Sequence, residues 1–190
     1  MTLSIYTISH PIIKILSNYI IDEKENADID IHYHKYLGFL LIYEILRQHI
    51  VIRKTYIKSL YCIKNFYLVD NNKKYIIFTN LSKNYKLISE VQILIPDIQV
   101  VHTDYKKYND FEINSFLSQK NNLHIFVLEK IINKNNRLII NFIEYLNFHK
   151  KIKLKSINIA CIASHQEALT KLSYKYPKLT IYTSEIIYSK

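Results

Sequence analysis

LHIFVLEKIINKNNRLIINFIEYL, residues 123–146, carries the clearest change of pattern in the chain. Leu123, Ile125, Phe126, Val127 and Leu128 make a short apolar run. A polar stretch follows, and then Ile139, Ile140, Ile143 and Leu146 recur at helical spacing. The pattern predicts a strand, a loop and an amphipathic helix. In α/β proteins such a unit commonly holds a phosphate, because backbone N–H groups point outward at the start of the helix. Such loops normally carry glycine, whose missing Cβ lets the backbone approach the anion. This loop has none.

Working outward, the same alternation recurs on both sides. Residues 75–79 read as a strand, with a helix after it on Leu87, Ile88, Val91, Leu94 and Ile95; Pro96-Asp97 ends the helix and residues 98–101 form the next strand. Downstream, residues 156–163 are an apolar strand, and Ser164-x-x-Glu167 has the form of a capping box opening a helix that Pro177 stops. Residues 179–183 make the last strand. Strands alternating with helices predict a parallel sheet with helical crossovers.

The N-terminal half is less regular. Residues 5–8 are a short extended start, and the acidic stretch 22–30 reads as a loop. Residues 35–48 are apolar nearly all round a helix, which places that helix in a core or at a subunit interface. Residues 53–72 alternate loosely and predict a hairpin or arm, with Asp70-Asn71-Asn72 as its turn signal. Residues 103–122 are polar and aromatic without a period, and predict a projecting loop or arm.

With 190 residues, 49% of them hydrophobic, one domain with a sizeable core is expected. One glycine and three prolines leave turns to Asn, Asp, Ser and Lys. The heavy use of Ile, Asn, Lys and Tyr fits an AT-rich coding sequence, of an organelle or of a bacterium with strong base bias. A formal charge of +10 attracts RNA, anionic membranes or phosphorylated ligands without choosing among them, and solvated surface lysines from AT-rich codons are the weightier explanation. Cys62 and Cys161 lack metal spacing and suggest a reducing compartment. No apolar run approaches the ~18 residues of a membrane span, and the first residues read as neither a secretory signal nor a transit peptide.

The residues also resemble a known family. His10-Pro11-Ile12-Ile13-Lys14 and Gly38-Phe39-Leu40-Leu41-Ile42-Tyr43-Glu44-x-x-Arg47 look like uracil phosphoribosyltransferase, as do Leu94-Ile95-Pro96, Val100-x-His102, Ile159-Ala160-Cys161 and Tyr176-Pro177-x-x-x-Ile181-Tyr182-Thr183. The resemblance implies a type I phosphoribosyltransferase fold over residues 1–190: a central parallel sheet flanked by helices, with an N-terminal hood and a β-arm. It implies transfer of phosphoribose from phosphoribosyl pyrophosphate (PRPP) to uracil, with magnesium.

The parts that perform this chemistry do not match. The family's loop, aspartate-proline-methionine-leucine-alanine-threonine-glycine-glycine-serine, falls on residues 128–136. Its acid becomes Leu128, its two glycines Lys134 and Asn135, and its threonine and serine Asn133 and Asn136. Leucine accepts no hydrogen bond from a ribose hydroxyl. The pyrophosphate arginine falls on Ser82, which loses a fixed charge and a two-pronged donor. The glycine- and aspartate-rich stretch that reads uracil is expected after Thr183, where Ser184-Glu185-Ile186-Ile187 stands instead. Glu129 is the remaining loop carboxylate, one position off and expected to face solvent. Lys83, Lys86, Lys130 and Lys134 remain as point charges near the former site.

Other candidates have plain readings beside the sharp ones. His32-Tyr33-His34 has strand-like ligand spacing without a nearby third ligand. Asp104 and Asp110 are too isolated for an acid–base pair, and His102 is expected to serve a strand end. Lys150, Lys151, Lys153 and Lys155 follow a helix C-terminus, where they complement the dipole or meet nucleic acid. Tyr105, Tyr108 and Phe111 pack the arm or stack on bases. The expectation is a homologue without catalytic residues, retained for nucleotide sensing or protein interaction, with an RNA-binding regulator and a weak or altered transferase as alternatives. A homodimer is expected, with nucleotide or RNA as further partners and no membrane. No cofactor is expected, magnesium and PRPP entering only if activity survives. The expected location is the plastid stroma, or otherwise the cytoplasm of an AT-rich bacterium.

Overall fold

The computed structural model describes residues 3–21, 27–106, 110–117 and 122–188. The chain runs β1 (Ser4–Thr7), α1 (Pro11–Ile21), α2 (Ala27–His49), β2 (Ile52–Lys58), β3 (Ile63–Val69), β4 (Lys74–Thr79), α3 (Leu81–Ile88), α4 (Val91–Leu94) and β5 (Gln99–His102). It continues with α5 (Asp110–Phe116), β6 (Leu123–Ile132), α6 (Arg137–Glu144), β7 (Ile157–His165), α7 (Gln166–Lys175) and β8 (Thr180–Ile187). Six strands form one parallel sheet in the order β1-β8-β7-β6-β4-β5, as the alternating pattern predicts. Hydrophobic runs such as INIACIA are buried on both faces, as strands covered by helices must be.

Side-chain alternation sorts the core into two layers. Ile125, Val127, Ile159 and Ile181 pack beneath α5, α6 and α7, together with Ile113, Phe142 and Leu169. Phe126, Leu128, Ala160 and Tyr182 face the other way, against α1, α2 and α3. There Gly38 meets α3: a Cβ at this position would lie 1.8 Å from the Leu87 carbonyl oxygen. That contact requires glycine at this place.

Four expectations are corrected. The acidic stretch 22–30 is helical from Ala27, because α2 extends N-terminally; residues 22–26 lie outside the described residues. On a helix, His32 and His34 point about 160° apart. His34 is buried, while His32 is exposed and stacks on Tyr36, and no three potential ligands converge among the described residues. The predicted hairpin forms as β2 and β3, but it reverses where Ser59 N–H donates to Cys62 O; the Asp70 turn joins β3 to β4 instead. Finally, the 103–122 segment does not simply project. Tyr105, Ile113 and Leu117 are buried in the core. Residues 107–109 and 118–121, Tyr108 among them, and the side chains of Asp110 and Phe111 lie outside the described residues.

Candidate functional site

In an open parallel sheet, ligands bind beyond the C-terminal strand ends, where the strand order reverses. Here β5 lies on one side of β4 and β6 on the other, so the reversal falls between β4 and β6. Thr79 and Leu128 are paired at that point, with residues 80–82 and 129–136 beyond them. The substituted loop and Ser82 are therefore brought to one crevice.

Side-chain bonds bridge the crevice. Thr79 Oγ1 donates to the Leu128 carbonyl at 2.8 Å. Asn84 Nδ2 donates to Thr79 Oγ1 at 3.0 Å and lies 3.4 Å from Glu129 Oε2. The Tyr105 hydroxyl also bonds Glu129. Glu129 is thus held and half-buried rather than solvent-facing, which corrects the expectation. Burial raises its pKa, against the lowering pull of Tyr105, Asn84 and the Lys83 charge. Tyr105 is raised well above its usual value by burial and then by Glu129. Asn84 carries this network and went unnoticed in the sequence; the signal was an asparagine within the buried stripe 84-87-88-91.

Much of the stretch 128–136, where the resemblance sets the family's loop, is strand. β6 does not stop at Leu128 but pairs with β7 as far as Ile132 and Ser164. Lys130-Ile131-Ile132 contains no glycine and two β-branched residues, so the backbone stays pleated. Leu128 is 0% exposed, packed in the layer with Phe126 and Ala160. Residues 133–136 alone make the turn into α6, and Asn136 makes no side-chain cap there. Lys134 pairs with Glu167 at 3.0 Å, and its carbonyl accepts from Lys171.

Around the crevice, Ser82 is exposed on the first turn of α3. His102 serves the strand end as expected: its Nδ1 accepts from Leu81 N–H at 3.1 Å. The Ser164 capping box does not form. β7 continues through His165, which takes the cap position, and Ser164 Oγ is buried without a partner. β8 runs to Ile187 with Glu185, Ile186 and Ile187 paired to β7, so the expected uracil-reading stretch is strand. Asp104 accepts from Lys106 N–H in a local turn. Lys150 is tied to Asn114 and lies over the Tyr145 ring. Cys62 is exposed, whereas Cys161 is buried and its thiol is pushed up to about 12.

Two clefts lie elsewhere. A cleft of about 260 Å³ runs between β1, the end of α2 and Tyr182; another of about 400 Å³ lies beside Lys14, Ser17 and Ser184. Neither is lined by residues 128–136. A PRPP–magnesium pair needs a carboxylate for the ribose and an open loop for phosphate. At the crevice, Glu129 is engaged by Asn84 and Tyr105, positions 128–132 are strand, and Lys134 and Asn135 stand in the turn where the resemblance sets glycines, so the residues present do not fit that pair.

Comparison with known proteins agrees with the sequence pattern. The family model described as uracil phosphoribosyltransferase matches residues 7–187. A uracil phosphoribosyltransferase homolog of Porphyra purpurea is 27% identical over 189 residues, covering 98% of this chain and 89% of the relative. Its counterpart in Pyropia yezoensis is 28% identical with the same coverage. Among solved structures, the AQ2163 protein from Aquifex aeolicus has the same fold, with a TM-score of 0.73 at 19% identity, covering 97% of this chain and 88% of that one.

Proposed function

The chain belongs to the uracil phosphoribosyltransferase family, and we propose that it is a member without phosphoribosyl transfer, retained to sense a nucleotide or to engage a partner. One observation carries this reading: Leu128, which the resemblance sets where the family has its ribose acid, is a fully buried strand residue. The paired strand through Ile132 and the exposed Ser82 support it. Each lost charge-assisted contact is worth ~1.5–3 kcal/mol, and every 1.36 kcal/mol of barrier is tenfold in rate. Losing several removes many decades.

The test is production of labelled UMP from uracil and PRPP with magnesium at high protein concentration. No product above background is expected, and sustained turnover would return the chain to the transferases. Sensing is tested by thermal melting with UMP, UTP or PRPP. A ligand at 100 times its Kd adds about 2.7 kcal/mol, roughly 5–10 °C for a chain of this size. A shift with UMP or UTP is expected; none with any of the three would leave partner engagement as the retained role.

The same reading includes a homodimer through the outer faces of α1 and α2, where Ile12, Ile15, Tyr19, Tyr36 and Tyr43 are exposed. The red-algal relatives and the AT-rich composition support a plastid setting.

A further inference from the structure

The cleft of about 400 Å³ lies between the end of β1, α1 and the end of β8, and its size is that of a small-molecule pocket. Its floor is a pair of hydroxyls, Ser17 of α1 and Ser184 of β8, which are 1% and 4% exposed and 2.8 Å apart. A pair that only docked α1 on the sheet would need one proton between its oxygens. Here Ser17 Oγ also donates to Ile13 O at 2.7 Å, and Ser184 Oγ to Ile162 O at 2.5 Å. Two protons serve three contacts, all of them internal. The pair is left with lone pairs alone to offer the cleft, and a buried acceptor calls for a donor.

Charge narrows the ligand. The lining carries one charge of each sign: Lys14, a turn before Ser17 on α1, and Glu185, the residue after Ser184 on β8. Among the described residues neither side chain is in an ion pair, and the two do not pair with each other. Lys14 is exposed and Glu185 half-buried. A carboxylate beside an acceptor floor suits an ammonium group, and an ammonium in the same cleft suits a carboxylate. A nucleotide would bring its several negative charges to a single lysine and a glutamate. A zwitterion answers both. Asn18 adds a neutral amide, and Ile186 with the exposed Tyr188 supplies an apolar side.

We propose that this cleft binds a free α-amino acid with an apolar or aromatic side chain. Glu185 and the Ser17–Ser184 oxygens hold its ammonium group, Lys14 and Asn18 its carboxylate, and its side chain lies along Ile186 and Tyr188. Residues 128–136 take no part in the lining, so the proposal stands apart from transfer and from any nucleotide held at the crevice.

Isothermal titration calorimetry of the full chain with phenylalanine and leucine tests it. Phenethylamine, which lacks the carboxylate, and 3-phenylpropanoate, which lacks the ammonium, supply the other arms. Phenylalanine is expected to bind, and each analogue roughly 10-fold more weakly. Lys14→Gln should weaken phenylalanine by about the same factor and leave phenethylamine unchanged. Glu185→Gln should weaken phenylalanine and leave 3-phenylpropanoate unchanged. Ser184→Ala, which removes half the floor, should weaken phenylalanine and phenethylamine alike. Thermal melting checks that each variant stays folded, and the two charge variants, both outside the core, keep the test intact if the serine variant does not. Failure of both amino acids to bind, equal binding of phenylalanine and its two analogues, or indifference to both charge variants would overturn the proposal. So would a response to UMP with none to either amino acid, which would leave nucleotide sensing standing alone.

Discussion

Gly38 is the chain's one glycine, and it sits where α2 and α3 touch. Alanine elsewhere in a helix would gain up to ~1 kcal/mol over glycine, but here its Cβ would meet backbone that cannot rotate away. Gly38→Ala is expected to lower stability by about 1–3 kcal/mol; an unchanged urea midpoint would contradict the contact. Leu128 makes a second test. Placing an aspartate there supplies the residue type that the resemblance sets at this position, yet buries a carboxylate in an apolar layer. Leu128→Asp is expected to cost about 3–5 kcal/mol and to yield no UMP. Histidines give the pH dependence. His49 is pushed down to about 4 by burial and then by His124, and His124 itself is lowered by burial and then by Lys73. Their folded forms resist protons that the unfolded chain accepts, so stability is full above pH 6.5 and falls as pH drops toward 4. Glu129, raised by burial, works in the opposite sense, its contribution being present below pH 4.5 and lost as pH rises through its folded value. Urea midpoints at pH 7 and pH 5 should differ in the direction the histidines set, and His49→Gln should shrink the difference.

At the level of strands and helices, the sequence was most legible where a period ran long. All six sheet strands, α2, α6 and α7 were foreseen by position, although boundaries moved. β6 overran its expected end because Glu129 and Lys130 look like loop, whereas pairing with β7 holds them in the sheet. The Ser164 box failed for the same reason: the partner strand carries the backbone through Ser164 before a helix can start. Local pattern does not reveal how long a neighbouring strand will continue to offer hydrogen bonds. The crevice network was equally hidden, since Thr79, Asn84 and Tyr105 meet only through the fold. The hairpin is separable in this account. Val51 and Asp70 are hydrogen-bonded neighbours, so a short linker can join them. Removing residues 52–69 is expected to leave the body's stability within ~1 kcal/mol in urea; collapse of the fold would show that the ribbon supports the core.

Taken whole, the molecule has two edges of different character. At the C-terminal strand ends, where proteins with open parallel sheets bind ligands, Thr79, Asn84 and Glu129 bridge the crevice. At the opposite edge lie the β2–β3 ribbon and the exposed Lys151, Lys153 and Lys155. The two apolar layers that hold the sheet are complete without any ligand chemistry, which is how a family fold persists after its loop has been rewritten. The most direct measurement is conversion of labelled uracil and PRPP to UMP by the purified full chain with magnesium. The account predicts no UMP above the protein-free background. Turnover that scales with protein concentration would contradict it.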